Sequence, residues 1–277
     1  MRFLVPVDGS TDCRAATHVA YQLAGALPDI ELVALHVVNV RPPSGSILQD
    51  ASGYMGFEPA VVSPEIYEAR EVAGKALVDG FVALAKANGL KASGMVVPGA
   101  VTEELVKAAN TCDLVIMGLR GESNDRFPGQ GGAQTANAIP QIAVPALLVP
   151  RSITRIRAMA VGYDASPAAQ RSLKSVAALK PLGVPVHLIY VGGEGSEPSS
   201  ILAEAEAFLG DDVETVRHHV PMDQNVHHTL VKTTEGSNAD MLVLGFSGKS
   251  TLKDAVFGSA REHLLTQDLG VALLIAH

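Results

Sequence analysis

Short apolar runs separated by amphipathic stretches make up most of this chain, and they occur twice in the same order. Arg2 to Asp8 (RFLVPVD) returns as Arg157 to Asp164 (RAMAVGYD): an apolar run ending in Asp, then a small residue and Ser. Each reads as a strand that delivers the chain into a helix. After Ser10 the apolar positions take helical spacing, with Ala16, Val19, Ala20 and Leu23 on one face. After Ser166 comes Pro167 at the first helical position, with Leu173, Val176 and Ala177 facing inward. Both serines suit an N-cap, where the side-chain oxygen accepts from a backbone N–H that the helix leaves unpaired. Further on, Glu31 to Val40 (ELVALHVVNV) matches Val184 to Gly193 (VPVHLIYVGG), and Asp113 to Gly118 (DLVIMG) matches Asp240 to Gly245 (DMLVLG). The last pair is Val144 to Val149 (VPALLV) and Val271 to Ala276 (VALLIA). Continuous apolar runs between helical segments predict an α/β fold, with parallel strands covered on both faces. The boundary between copies falls near Pro150 to Ile156, giving units 1–150 and 151–277.

The copies differ in length. Their offset is 156 residues at Asp8 and Asp164 but 127 at Gly118 and Gly245, so the first copy holds extra material. It lies in Arg41 to Ser63 (RPPSGSILQDASGYMGFEPAVVS), which reads as a long surface loop, and in the helix that follows. Ser63-Pro64 starts that helix and Asn88-Gly89 ends it; Ala73, Leu77, Phe81 and Leu84 are spaced as its inward stripe. The final strands of both copies are strongly apolar, at Leu147, Leu148 and Val149 and at Leu273, Leu274 and Ile275. Apolar edges of that kind are usually paired, which predicts an internal pseudo-dimer and leaves a further homodimer open.

Composition narrows the function classes. With 21 basic and 29 acidic residues, a formal charge of -8 and 4% aromatics, the chain lacks the basic, aromatic surface expected of a nucleic-acid partner. No run reaches the roughly 18 apolar residues of a membrane span, and the N-terminal MRFLVPVDGS has no signal-peptide pattern. A cytoplasmic protein is expected, with no membrane partner. The two cysteines, Cys13 and Cys112, are too few for a disulfide framework and stand in no nucleophile context.

One arrangement carries chemistry. The fourth run of the second copy ends in Gly245-Phe246-Ser247-Gly248; nine residues later come Gly258-Ser259 and a helical segment, AREHLLTQD. Glycines let backbone N–H groups reach an anion without an intervening Cβ, and a hydroxyl beside a helix N-terminus adds donors. The site would lie at the carboxyl ends of the strands, where open parallel sheets bind ligands. Taken singly, Asp164 reads as a strand terminator or helix cap, and Gly245 and Gly248 as turn glycines; the complete pattern favours phosphate capture.

The pattern G-x2-G-x9-G-[S/T] after a fourth strand, with Asp closing the first, resembles the ATP-binding subgroup of the universal stress protein family, here as two domains in tandem. The resemblance implies two Rossmann-like domains, each a five-stranded parallel sheet flanked by helices. It implies an adenine nucleotide (ATP, ADP or AMP) as ligand, with Mg as an optional companion of the phosphates, and a role in stress response or signalling. Carried over to the second half, Gly162, Tyr163 and Asp164 line the adenine side, Val191 packs on the base, and Leu244, Gly245, Gly248, Gly258, Ser259 and Ala260 hold ribose and phosphates. Tyr163 is bulkier than the family usually has there, and Pro221-Met222-Asp223-Gln224 stands where a Gly-x-Pro often precedes the third helix. In the first half the matching positions are Pro6, Val7, Asp8, Val37, Met117, Gly118, Gly121 and Gly132. There Gly131-Gly132-Ala133 supplies backbone but no hydroxyl, and a hydrogen bond to a charged group is worth roughly 1.5–3 kcal/mol. The second half is expected to hold most of the nucleotide.

Other readings remain. Gly248-Lys249-Ser250 resembles the tail of a P-loop, but the required first Gly falls at Val243. His218, His219, His227 and His228 lack the rest of a zinc ligand set and read as surface or strand-edge histidines. An adenylating enzyme would need an SGGxDS-like or HxGH-like loop, and neither occurs. An interaction module with a vestigial pocket, or a pocket for another small molecule, is the remaining alternative.

Overall fold

The computed structural model describes residues 1–39, 63–121, 138–192, 198–245 and 269–276. The first half runs β1 (Arg2–Pro6), α1 (Thr11–Ala26), β2 (Glu31–Asn39), α2 (Pro64–Ala87), β3 (Lys91–Gly99), α3 (Val101–Ala109), β4 (Leu114–Gly118) and β5 (Ala146–Val149). The second runs β6 (Met159–Gly162), α4 (Pro167–Ala178), β7 (Val186–Val191), α5 (Pro198–Leu209), β8 (Thr215–Val220), α6 (Val226–Gly236), β9 (Met241–Gly245) and β10 (Ala272–Ala276). All strands join one ten-stranded sheet in the order β3-β2-β1-β4-β5-β10-β9-β6-β7-β8. Every neighbouring pair is parallel except the central one: β5 and β10 run antiparallel, with Leu148 opposite Leu273 and Leu147 opposite Leu274.

Alternation along the strands sorts the core by face rather than by half. One layer holds Phe3, Val5, Leu147, Val161, Val243 and Leu274 under α1, α2, α4 and α5; the other holds Leu4, Val115, Leu148, Leu242 and Leu273 under α3 and α6. Each layer contains residues of both halves, because the central pair makes the sheet continuous. The repeat extends to polar contacts: Arg2 N–H donates to Asp113 and Arg157 N–H to Asp240, each at 2.7 Å, tying the first strand of each half to the residue that opens its fourth. Gln22 on α1 holds the connecting segment, donating to the Ile156 carbonyl and accepting from its N–H, both at 2.7 Å.

The N-caps follow the sequence: Ser10, Ser63 and Ser166 accept from Cys13, Ile66 and Ala169 N–H. The stripe on α2 does not. Gly74, Val78, Phe81 and Ala85 are its buried residues, while Leu84 is 59% exposed and Leu77 37%. Close approach decides the face. A Cβ on Gly74 would stand 2.2 Å from the His36 ring, and one on Gly94 of β3 would stand 2.3 Å from Val78, so two glycines bring helix and sheet together. Ranking residues by apolarity alone places Phe81 rightly but shifts the other three positions of the stripe by one.

Residues 151–277 expressed alone leave the apolar edge of β10 without its partner. They should associate as a homodimer, and light scattering that finds a stable monomer would contradict this.

Candidate functional site

The carboxyl ends of β1 and β4 in the first half, and of β6 and β9 in the second, are built alike. Past β1, Asp8 accepts from Ser10 N–H at 3.0 Å; past β6, Asp164 accepts from Ser166 N–H at 3.0 Å. Each is an Asx turn that feeds the N-cap serine of the next helix. The residue between is left-handed in both, Gly9 at φ 79° and Ala165 at φ 61°. For Ala that geometry costs on the order of 1–2 kcal/mol, so the turn is held by its surroundings rather than by local preference.

The glycines divide by role. Gly118 ends β4 and Gly245 ends β9, each against the first turn of a helix: a Cβ would lie 2.9 Å from Asp12 backbone in one and 1.8 Å from the Ala168 carbonyl in the other. Gly162 makes room for Leu230 of α6 in the same way. Packing alone explains why these three carry no side chain. Gly121 differs, since a Cβ there would stand 3.0 Å from Asp8 Oδ2 and meet no other group among the described residues. The first loop and the Asp that closes β1 are therefore neighbours.

Around them, Val37 and Val191 are half-buried against the second core layer and level with Val97 and Val220 on the adjoining strands. Met117 and Leu244 are buried in that layer. Pro6 closes β1 opposite Leu35. Val7 is buried, its N–H donating to the Leu35 carbonyl at 2.8 Å, and His36 Nδ1–H donates to the Val7 carbonyl at 2.7 Å. Tyr163 is 2% exposed and turned into the first core layer, where its hydroxyl donates to Glu204 at 3.0 Å. Burial, then the Glu204 contact, push that phenol up to about 12. Gly132, Gly248, Gly258, Ser259 and Ala260 lie outside the described residues.

Sequence reasoning passed over Asp12. It is 5% exposed in the first turn of α1, and its carboxylate accepts from Arg120 N–H at 3.1 Å. It reads as an ordinary acidic residue at a helix start, and only the fold brings it to the glycine loop. Beside it is a cavity of about 150 Å³, lined by Asp12, Leu119, Arg120, Pro150, Arg151, Ser152 and Leu269. Next along, burial and the Asp8 charge push the Cys13 thiol up to about 11, keeping it protonated and unreactive.

No group of three metal-ligating side chains converges among the described residues. His218 faces His187 across β8 and β7, its Nε2 2.8 Å from His187 Nδ1, and not His227 or His228. Burial lowers the pKa of His187, aided by the neighbouring His218, and burial also lowers those of His218 and His227. The unfolded chain then takes up protons near the ordinary imidazole value of about 6.5 that the folded chain resists. Stability is full above that pH and declines as pH falls through it. Unfolding midpoints should drop between about pH 7 and pH 5, and less so in His187→Gln/His218→Gln; identical pH profiles for both proteins would refute this.

A family model described as the universal stress protein family matches residues 1–150. A universal stress protein of Synechocystis sp. is 29% identical over 159 residues, 55% of this chain and 54% of that protein; the chain thus spans about half the length of this curated relative. The crystal structure of a universal stress protein from Archaeoglobus fulgidus superposes with a TM-score of 0.74 at 17% identity, over 99% of this chain and 95% of that one. A putative universal stress protein from Pseudomonas aeruginosa gives 0.57 at 12% identity, over 99% and 92%. At such identities the structural likeness speaks for the fold.

Proposed function

Because the chain belongs to the universal stress protein family, we propose that it is an adenine-nucleotide-binding member acting in stress response or signalling, with one domain over 1–150, another over 151–277, and nucleotide held mainly in the second. The observation that carries this reading is the juxtaposition of Asp8 with Gly121, together with the same strand, Asx turn and capped helix around Asp164. An Asp at one strand end and an open loop at the next give a base and a phosphate chain separate places at a switch point of the sheet. Preference for the second half rests on Gly258-Ser259, whose hydroxyl has no equivalent after Gly132. In this reading ATP, ADP or AMP is a conformational ligand, with Mg as an optional companion of the phosphates.

Catalysis is not part of it. Efficient phosphoryl transfer needs a positioned metal, a group orienting the nucleophile and cationic stabilisation, and the second loop offers Ser247, Lys249, Ser250 and Ser259. Steady-state ATP hydrolysis should fall below about 1 s⁻¹, the lower end of the ordinary enzyme range; a rate above it would refute this part.

Titration calorimetry with ATP tests the binding. Ser259→Ala should weaken it roughly tenfold, about 1.4 kcal/mol. Gly258→Val should nearly abolish it in the second half, and Gly132→Val should matter less. If Gly132→Val removes most of the binding, the halves are assigned in reverse; if the unaltered chain binds no adenine nucleotide, the interaction-module reading replaces this one.

A further inference from the structure

We infer that the outer face of α2 pairs with the same face of a second copy of this chain, joining two molecules through antiparallel helices. Gly74, Val78, Phe81 and Ala85 turn α2 onto the sheet, and this leaves a second apolar stripe outside. Its large members, Ile66 and Leu84, are 51% and 59% exposed. With the exposed alanines and Gly80 between them, the stripe keeps heptad spacing from residue 66 to 87, about 32 Å of helix. The second half offers no match: its corresponding helix, α5, has 12 residues against the 24 of α2, and of its large apolar side chains only Phe208 is exposed. One such stripe per chain closes on itself as a twofold dimer.

The order of residues fits a second copy laid end for end. Reversed about the midpoint between Ala76 and Leu77, the stripe sets Ile66 opposite Ala87, Leu84 opposite Ala69 and Leu77 opposite Ala76. A large side chain meets a small one each time, as interdigitated packing requires. Gly80 falls opposite Ala73, where the two helices can approach most closely. A Cβ on Gly80 would meet nothing within 4 Å among the described residues, so packing inside the chain gives no reason for a residue that weakens a helix interior. Charge selects the same orientation. Glu68, Lys75, Asp79 and Lys86 follow one another at intervals of 7, 4 and 7 residues along one flank of the stripe. In the antiparallel pair Glu68 meets Lys86 of the second copy and Lys75 meets its Asp79, whereas a parallel pair would set each beside its own kind. All four are exposed, and no hydrogen bond or ion pair among the described residues engages their side chains. Exposed pairs add little affinity, so they fix direction while the apolar stripe supplies the hold.

Sedimentation of the full chain should show a dimer. Gly80→Glu/Leu84→Glu puts charge into the stripe at two exposed positions, so it should leave a monomer whose unfolding midpoint is unchanged. Glu68→Lys and Lys86→Glu should each weaken the dimer, and the two together should restore it. Orientation is read by oxidising variants with one added cysteine, since the native Cys13 and Cys112 are buried. Ala76→Cys lies beside its counterpart and should cross-link. Ala69→Cys, about 22 Å from its own counterpart in the antiparallel pair, should not. A monomeric unaltered chain, a dimer that survives Gly80→Glu/Leu84→Glu, or equal cross-linking at the two cysteines overturns the inference.

Discussion

The antiparallel pairing of β5 with β10 is the contact on which the rest of the molecule depends. Each half is a parallel sheet whose last strand would otherwise present an apolar edge to water, and joining the edges removes both at once. Leu147, Leu148, Leu273 and Leu274 are each no more than 3% exposed, and burying a Leu side chain is worth about 1.5–3 kcal/mol. Since strands are parallel within a half and antiparallel across the seam, the carboxyl ends of the two halves lie at opposite ends of the strands. The Asx turns after β1 and β6 are thereby set apart, while both core layers run uninterrupted beneath them.

The same local device opens both candidate sites. Asp at the strand end, a left-handed residue and a capping serine turn the chain into its helix within a few positions. Packing against that helix leaves no room for a side chain at Gly118 or Gly245. Two glycines of the sequence pattern are thus demanded by the fold before any ligand is considered. At Gly121, by contrast, a side chain would be directed at the Asp8 carboxylate rather than at packed backbone.

Much of this is legible in the sequence because it is written twice. The paired apolar runs give all the strands except β3 and β8, and Ser-Thr and Ser-Pro junctions give the starts of α1, α2 and α4. Strands β3 and β8 sit at the two margins of the sheet and are largely exposed, so they lack the continuous apolar run that marks the others. The α2 stripe was misplaced because Gly74 and Gly94 determine the closest approach, and hydropathy assigns glycine no face. Tyr163 is buried in the first core layer with its hydroxyl on Glu204, a partner 41 residues away that local sequence does not reveal. Asp12 escaped notice because its partner is 108 residues away in sequence.

Covalent fusion changes what the pseudo-twofold can tolerate. In a symmetric homodimer every substitution appears at both sites, so a residue that adapts one pocket necessarily adapts the other. Joining the copies through the segment that Gln22 grips at Ile156 keeps the geometry of such a pair and abolishes its symmetry. Gly118 packs on Asp12 where Gly245 packs on Ala168, a difference that only a chain carrying both halves can hold permanently.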